Sequence, residues 1–322
     1  MKQGFLYLLV LVISAAGALL AGDQLYYRTP AFEGERRVII PKGTRSLDTA
    51  RLLAEAGAIQ HPELFWLIAQ ATQQAREFKA GEYQFETYTT PQQVMQKLVA
   101  GDVVIHKITL PEGYNVRQLR ELLAAETVLQ GEITLPIAEG SLLPETYFFT
   151  YGDTRNDVVR RMQSAMAEVL ADHWNKRAEN LPLASPQEAL ILASIVEKET
   201  GVVEERARVA GVFINRLRIG MRLQTDPSVI YGIEQETGQA LDRELTRADL
   251  DKPTPFNSYL IPGLPPTPIA NPGADSIAAV MNPLATDELY FVATGNGGHH
   301  FAKTLEEHNK NVASYRAVLR AQ

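Results

Sequence analysis

The sequence predicts an α+β protein: an apolar N-terminal helix, a small β-α module, and a larger domain mixing helices with short strands. Three observations lead there. Phe5 to Ala21 is an uncharged run of 17 residues rich in Leu, Val and Ala. Beyond it, strand-like alternation and amphipathic stripes of about ten residues alternate up to Ala125. From Asp157 onward longer helical stripes dominate, and the strand signals are few. At 322 residues with 45% hydrophobic content, the chain suffices for two domains with real cores.

The apolar run is at the lower limit for spanning a bilayer, and Lys2 before it puts the N-terminus in the cytoplasm by the positive-inside tendency. A cleaved signal peptide is the competing reading, with Ala16-Gly17-Ala18 as its cleavage site. Either way the remaining chain is exported. A net charge of −7, with no Lys/Arg cluster, argues against nucleic acid as a partner. The absence of cysteine excludes disulfides, a thiol nucleophile and a zinc knuckle.

In order, the expected organisation is a transmembrane anchor over 1–22, a stalk over 23–37, a β-α module over 38–125 and a second domain over 126–322. The module opens a duplication. Val38-Ile-Ile-Pro-Lys-Gly43 and Ile108-Thr-Leu-Pro-Glu-Gly113 share a strand-Pro-x-Gly pattern, each followed by a helical stripe, Leu47 to Ala56 and Val116 to Ala125. Between them, Pro62 to Ala71 reads as a helix, Gly81 to Phe85 as a strand, and Pro91 to Ala100 as a helix ending at Gly101. Modules of this βααβ kind build small sugar-binding domains of the LysM type, and also many inert scaffolds. Asp157 to Trp174 follows as a long amphipathic helix.

Ser185 to Gly201 reads as a complete helix. Ser185 with Glu188 is a capping box, Pro186 takes the first helical position, and Gly201 stands just past the end. At about 100° per residue, Leu192, Ile195 and Val196 fall within about 60° of Glu199. Glu199 therefore points along an apolar stripe, whereas Glu197, about 160° away, belongs on a solvated face. A carboxylate on a core-facing stripe is desolvated, and at a helix C-terminus it meets the negative end of the dipole. Both effects raise its pKa, which is how a general acid is made. The competing structural reading has Glu199 reaching water or pairing with Arg206 or Arg208.

Glu204 to Leu217 is a second helix, with Val209, Val212, Phe213 and Leu217 on one face. Leu223 to Gly232 is a polar turn running into apolar residues. Pro253 to Pro272 carries seven of the 18 prolines. Such a stiff loop walls a cleft or wraps the core. Ala274 to Met281 reads as a helix, Leu289 to Ala293 as a strand, Gly295 to Phe301 as a Gly-rich turn, and Thr304 with Glu307 as a capping box opening the last helix. His299, His300 and His308 do not match a zinc spacing, so no metal is expected.

Ile195-Val-Glu-Lys-Glu-Thr200, Val212-Phe-Ile-Asn-Arg-Leu217, Met221-Arg-Leu-Gln-Thr-Asp-Pro227, Pro255-Phe-Asn-Ser-Tyr259, Gly263-Leu-Pro-Pro266 and Asn271-Pro-Gly273 occur in that order. This series resembles the YceG/MltG family of endolytic peptidoglycan transglycosylases, over nearly the whole chain. Leu143-Pro-Glu-Thr-Tyr147 is similar to the family's Phe-Pro-x-Thr-Tyr element, with Leu143 in the aromatic position.

The resemblance implies a single-pass inner-membrane protein with a LysM-like module and a periplasmic catalytic domain. That domain would cut the β-1,4 bond between N-acetylmuramic acid and N-acetylglucosamine, leaving a 1,6-anhydro end. It implies catalysis by the second glutamate of the Glu-Lys-Glu pair, Glu199, without metal or cofactor, and penicillin-binding proteins as neighbours. Gln224, Thr225, Asp226, Asn257 and Tyr259 are candidates for orienting the sugar. Two alternatives stay open: a water-using muramidase with Asp226 as second carboxylate, and a non-catalytic glycan-binding scaffold.

Overall fold

The computed structural model describes residues 27–321 except Asn296, together with Tyr7, Leu9, Val10, Val12, Ile13, Ser14, Gly17 and Gly22 of the N-terminal stretch. The anchor expected over residues 5–21 lies for the most part outside the described residues. Among the described residues, no helix is long and apolar enough to cross a membrane.

The fold is α+β, with helices carrying most of the packing and the strands confined to small two-stranded sheets. The chain divides into two compact units. In the first, β1 (Arg36–Ile40), α1 (Ser46–Glu55), α2 (Pro62–Ala71) and β2 (Gly81–Phe85) follow one another in βααβ order, and α3 (Pro91–Ala100) comes next. β1 and β2 pair antiparallel, with Arg36 opposite Phe85 and Ile40 opposite Gly81. Alternation puts Val38, Ile40, Tyr83 and Phe85 into one core with Leu53, Phe65, Met95 and Leu98. α3 is held at both ends, by a complete Thr90/Gln93 capping box and by Gly101 in the left-handed conformation.

β3 (Ile105–Thr109) pairs with β4 (Thr146–Thr150), and the division between units runs across this pair. Ile108–Thr127 belongs to the second unit. The reason is local. Gly113 N–H donates to Asn271 O at 3.0 Å and Asn271 N–H donates to Tyr114 O at 2.9 Å, tying the start of α4 (Val116–Ala125) to the Pro-rich loop. The two Pro-x-Gly turns of the duplication do share geometry, since Gly43 and Gly113 have φ of 84° and 75°.

The second unit is built around α6 (Pro186–Glu199), which packs against α5 (Arg155–Asn175), α7 (Val203–Arg218), α8 (Asp226–Thr237) and α10 (Ala274–Met281). Every residue from Ala189 to Val196 is buried. With its central turns covered on all sides, the helix leaves only Gln187 and Lys198 exposed, and the expectation for Glu197 fails for that reason. Its side chain is buried, accepts from Gly273 N–H at 2.8 Å and pairs with Arg206 at 3.2 Å. Two smaller expectations for this helix also change. Ser185 does cap Glu188 N–H, but Glu188 reaches back to Ala184 N–H rather than to Ser185. The helix ends on an extended Thr200 rather than a left-handed glycine.

α9 (Arg247–Leu250) precedes the Pro-rich loop. Beyond α10, β5 (Tyr290–Ala293) and β6 (His299–Ala302) form a hairpin, and α11 (Leu305–Ala321) closes the chain behind its Thr304/Glu307 box. The segment expected as a turn through Phe301 is thus half strand. Glu205 accepts from both His299 N–H, at 3.0 Å, and His299 Nδ1, at 2.7 Å, which fixes the second edge of the hairpin.

Candidate active site

Glu199 is the last residue of α6, where the helix dipole disfavours negative charge. Its carboxyl is packed among protein atoms while the residue keeps partial contact with solvent. Burial pushes its pKa up from 4.5 to about 7. Thr225 and Arg216 pull it down and Asp226 pushes it up, all by less than burial does. Neither arginine named by the structural alternative is available to it. Arg206 pairs with Glu112 at 2.8 Å and with Glu197, and Arg208 pairs with Glu288.

The loop before α8 brings the next groups. Thr225 occupies the N-cap of α8 yet does not cap it. Its hydroxyl is buried without a hydrogen-bond partner of ordinary geometry, close enough to Glu199 to favour the anion. The loop is fixed from behind by Ser258. Ser258 Oγ accepts from Thr225 N–H at 2.8 Å and meets Ser228 Oγ at 2.7 Å, and Gln224 N–H donates to Ser258 O at 3.2 Å. Gln224 itself is exposed with φ of 51°, a left-handed conformation uncommon for a side chain of its kind. Asp226 is exposed at the first position of α8 and accepts from Tyr259 Oη at 2.6 Å. Burial and Asp226 together hold the Tyr259 phenol protonated.

Glu199, Thr225, Asp226 and Tyr259 therefore converge, with Gln224 beside them. Asn257 is placed differently. It is fully buried, donates to Leu250 O and Lys252 O at 2.9 and 2.8 Å, and accepts from Tyr259 N–H at 3.0 Å. All its polar atoms are spent on shaping the loop that presents Tyr259.

Arg216 was not among the residues singled out from sequence. It is buried, with Nε donating to Leu289 O at 2.7 Å and Nη1 to Leu223 O at 2.5 Å. No carboxylate pairs with it directly among the described residues, and Glu199 and the Tyr259 phenol lie within its field. A signal was there to find it. Val209, Val212, Phe213 and Arg216 share one stripe of α7 at i, i+3, i+4 and i+7, the same kind of misplaced charge that marks Glu199.

Ser194 and Ser258 are further fully buried hydroxyls of this region. Ser194 donates to Ile191 O and accepts from Ile269 N–H at 3.0 Å, pinning the Pro-rich loop to α6. Among the described residues, no group of three or more His, Cys, Asp or Glu is placed to hold a metal ion.

One proton-carrying carboxyl, a hydroxyl and a buried cation on an α+β scaffold define a site equipped for acid–base chemistry. The YceG-like family model matches residues 38–314, and the chain belongs to that family. A protein of Bacillus subtilis (strain 168) named endolytic murein transglycosylase is 31% identical over 309 residues, covering 86% of this chain and 83% of its own length. One of the same name from Streptococcus pneumoniae serotype 2 (strain D39) is 29% identical over 321 residues, covering 86% of this chain and 57% of its own. The crystal structure of a YceG-like protein from Listeria monocytogenes superposes with a TM-score of 0.52 at 31% identity, over 87% of this chain and 99% of that one.

Proposed function

We propose that this chain is an endolytic murein transglycosylase in which Glu199 alone serves as acid and then base. The observation that carries the proposal is a desolvated glutamate with a pKa of about 7, free of any direct ion pair among the described residues and set among side chains suited to hold a sugar. Protonated Glu199 donates to the glycosidic oxygen as the bond to C1 of N-acetylmuramic acid breaks. The resulting carboxylate takes the proton from that sugar's own C6 hydroxyl as its oxygen bonds to C1. No water is consumed, and the product end is 1,6-anhydro. Intramolecular attack has a high effective molarity, so neither metal nor cofactor enters the scheme.

Thr225 and Arg216 would stabilise the carboxylate left after the first transfer, while Gln224, Asp226 and Tyr259 would orient the sugar and its acetamido groups. Asn257 would act through Tyr259. The apolar run over residues 5–21 would anchor the chain in the inner membrane with the catalytic unit in the periplasm, on nascent glycan and near penicillin-binding proteins. The βααβ order of the first unit supports a LysM-like glycan-binding role.

A water-using muramidase is the second reading, favoured by one observation: Asp226 is near enough to Glu199 to disfavour its anion. Mass spectrometry of peptidoglycan digested by the purified chain separates the two, because an anhydro end is lighter by one water. Anhydro-ended fragments from wild type, with a loss of roughly 10²–10⁴-fold in Glu199→Gln, are expected. Reducing ends, together with an inactive Asp226→Asn, would establish the muramidase. Cleavage should decline as pH rises through about 7, because the donor is the protonated form of Glu199.

A further inference from the structure

In the first unit, Tyr88 combines two features that are hard to reconcile with a structural role. Its φ is 62°, in the left-handed region that side chains larger than Asn rarely occupy. The residue is 59% exposed, so packing does not repay that strain. The loop around it is held firmly. Tyr88 N–H donates to Phe32 O at 3.2 Å, Thr87 Oγ1 accepts from Gly34 N–H at 2.9 Å, and Thr89 Oγ1 donates to Glu86 O at 2.6 Å. A loop this determined would accept glycine at position 88 at lower conformational cost. The ring is carried for something outside the fold.

Beside it lies a cavity of about 440 Å³, whose far wall is one stripe of α3: Gln93, Gln96, Lys97 and Ala100, at i, i+3, i+4 and i+7. The opposite stripe of that helix, Val94, Met95 and Leu98, is in the core. Gln93 uses Oε1 to cap Thr90 N–H, which leaves its Nε2 to donate outward. Lys97 is held by Asp102 at 3.1 Å and by Gln84 O at 3.2 Å, and Glu86 adds a further negative charge to the rim. A rim with two carboxylates and one paired lysine repels phosphates and other anions. An aromatic face beside amide groups suits an uncharged ligand with both a C–H face and hydrogen-bonding substituents.

We propose that Tyr88 and the Gln93–Gln96 stripe form a binding subsite for uncharged N-acetylhexosamine glycan. One pyranose stacks on the Tyr88 ring, and its hydroxyl or acetamido groups meet the glutamine amides. The choice of glycan over other uncharged polar ligands rests on the function proposed above; the location of the subsite does not.

The test is binding of β-1,4-linked N-acetylglucosamine tetramer, an uncharged glycan, to the full chain carrying Glu199→Gln so that nothing is cleaved. Three forms are compared: that parent, and the parent with Tyr88→Gly or Tyr88→Phe. Tyr88→Gly is expected to bind about tenfold more weakly, the scale of one aromatic contact, while its Tm is unchanged or higher. Tyr88→Phe should bind like the parent. Equal binding by Tyr88→Gly, or a fall in its Tm, overturns the subsite. Tyr88-dependent binding without any peptidoglycan cleavage by wild type would refute the proposed enzyme and leave the subsite standing. Cleavage by wild type with Tyr88-independent binding would do the reverse.

Discussion

Arg216 bears on the Glu199 carboxyl through its charge rather than through a direct ion pair. A guanidinium buried without a carboxylate in contact is expensive, and two backbone carbonyls only partly offset the desolvation. Its charge favours the Glu199 anion, so its removal should raise the Glu199 pKa above about 7. Arg216→Gln is then expected to shift the alkaline limb of the pH–rate profile of peptidoglycan cleavage upward. It should also lower the maximal rate, because the carboxylate formed after proton donation loses its counter-charge. Arg216→Gln strands the Leu223 and Leu289 carbonyls as well, at about 1–3 kcal/mol each if buried. Arg216→Lys, which keeps the charge, separates the two effects. A limb that stays in place in both variants would mean that the arginine only braces the loop.

At the scale of elements, the site is held where α8 meets the Pro-rich loop. Gly232 on α8 faces that loop so closely that a Cβ there would stand 2.4 Å from Thr254 Oγ1 and 3.1 Å from Phe256 Cβ. Gly232→Ala should therefore push the loop away, at about 1–3 kcal/mol, and with it Tyr259 from Asp226. The expected outcome is a Tm lower by several degrees and a larger proportional loss of cleavage than of stability. A fall in Tm with unchanged cleavage would show that the two elements need not stay in register.

These elements were largely legible in sequence, because their ends are marked by local chemistry. Gly101 past the end of α3, Thr304 with Glu307 and Pro186 at a first helical position are signals confined to a few residues. What burial does to a helix is not local. A wheel finds the misplaced Glu199, but it assumes one face in water along the whole helix, and the central turns of α6 have none, so it sends Glu197 to solvent. The hairpin strand β6 is four residues long, too short for alternation to stand out from the glycines before it. Asn257 looked like a sugar ligand because its side-chain type is right. Only the loop geometry reveals that Leu250, Lys252 and Tyr259 already use it.

Among the described residues, burial raises the pKa of three carboxyls, Glu139, Glu197 and Glu199, at a cost to the folded state. Glu139 shares the property of Glu199: burial raises its pKa to about 7, against smaller lowering by Tyr231 Oη at 3.1 Å and Val116 N–H at 3.0 Å. The sign follows directly. A carboxyl raised from 4.5 to about 7 binds its proton more tightly in the folded chain, so stability declines as pH rises between those values. Glu205 and Glu288 are shifted downward, chiefly by hydrogen bonds from His299 and Arg208 that outweigh burial, and Asp249 by hydrogen bonds from Arg243. Their contribution is present above their unfolded values and is lost in acid. The two sets together place maximum stability on the acid side of neutrality, the side on which Glu199 is protonated. Glu139→Gln is therefore expected to raise Tm at pH 8 and to change it little at pH 5, where the native carboxyl is already neutral. Glu199→Gln should behave the same way, and in the double variant the decline between pH 5 and pH 8 should shrink markedly, leaving the part that Glu197 contributes. Thermal unfolding of the four forms at the two pH values checks this. A decline as large in the double variant as in the parent would assign the pH dependence to other groups, and with it remove the case that Glu199 is held as an acid by its surroundings.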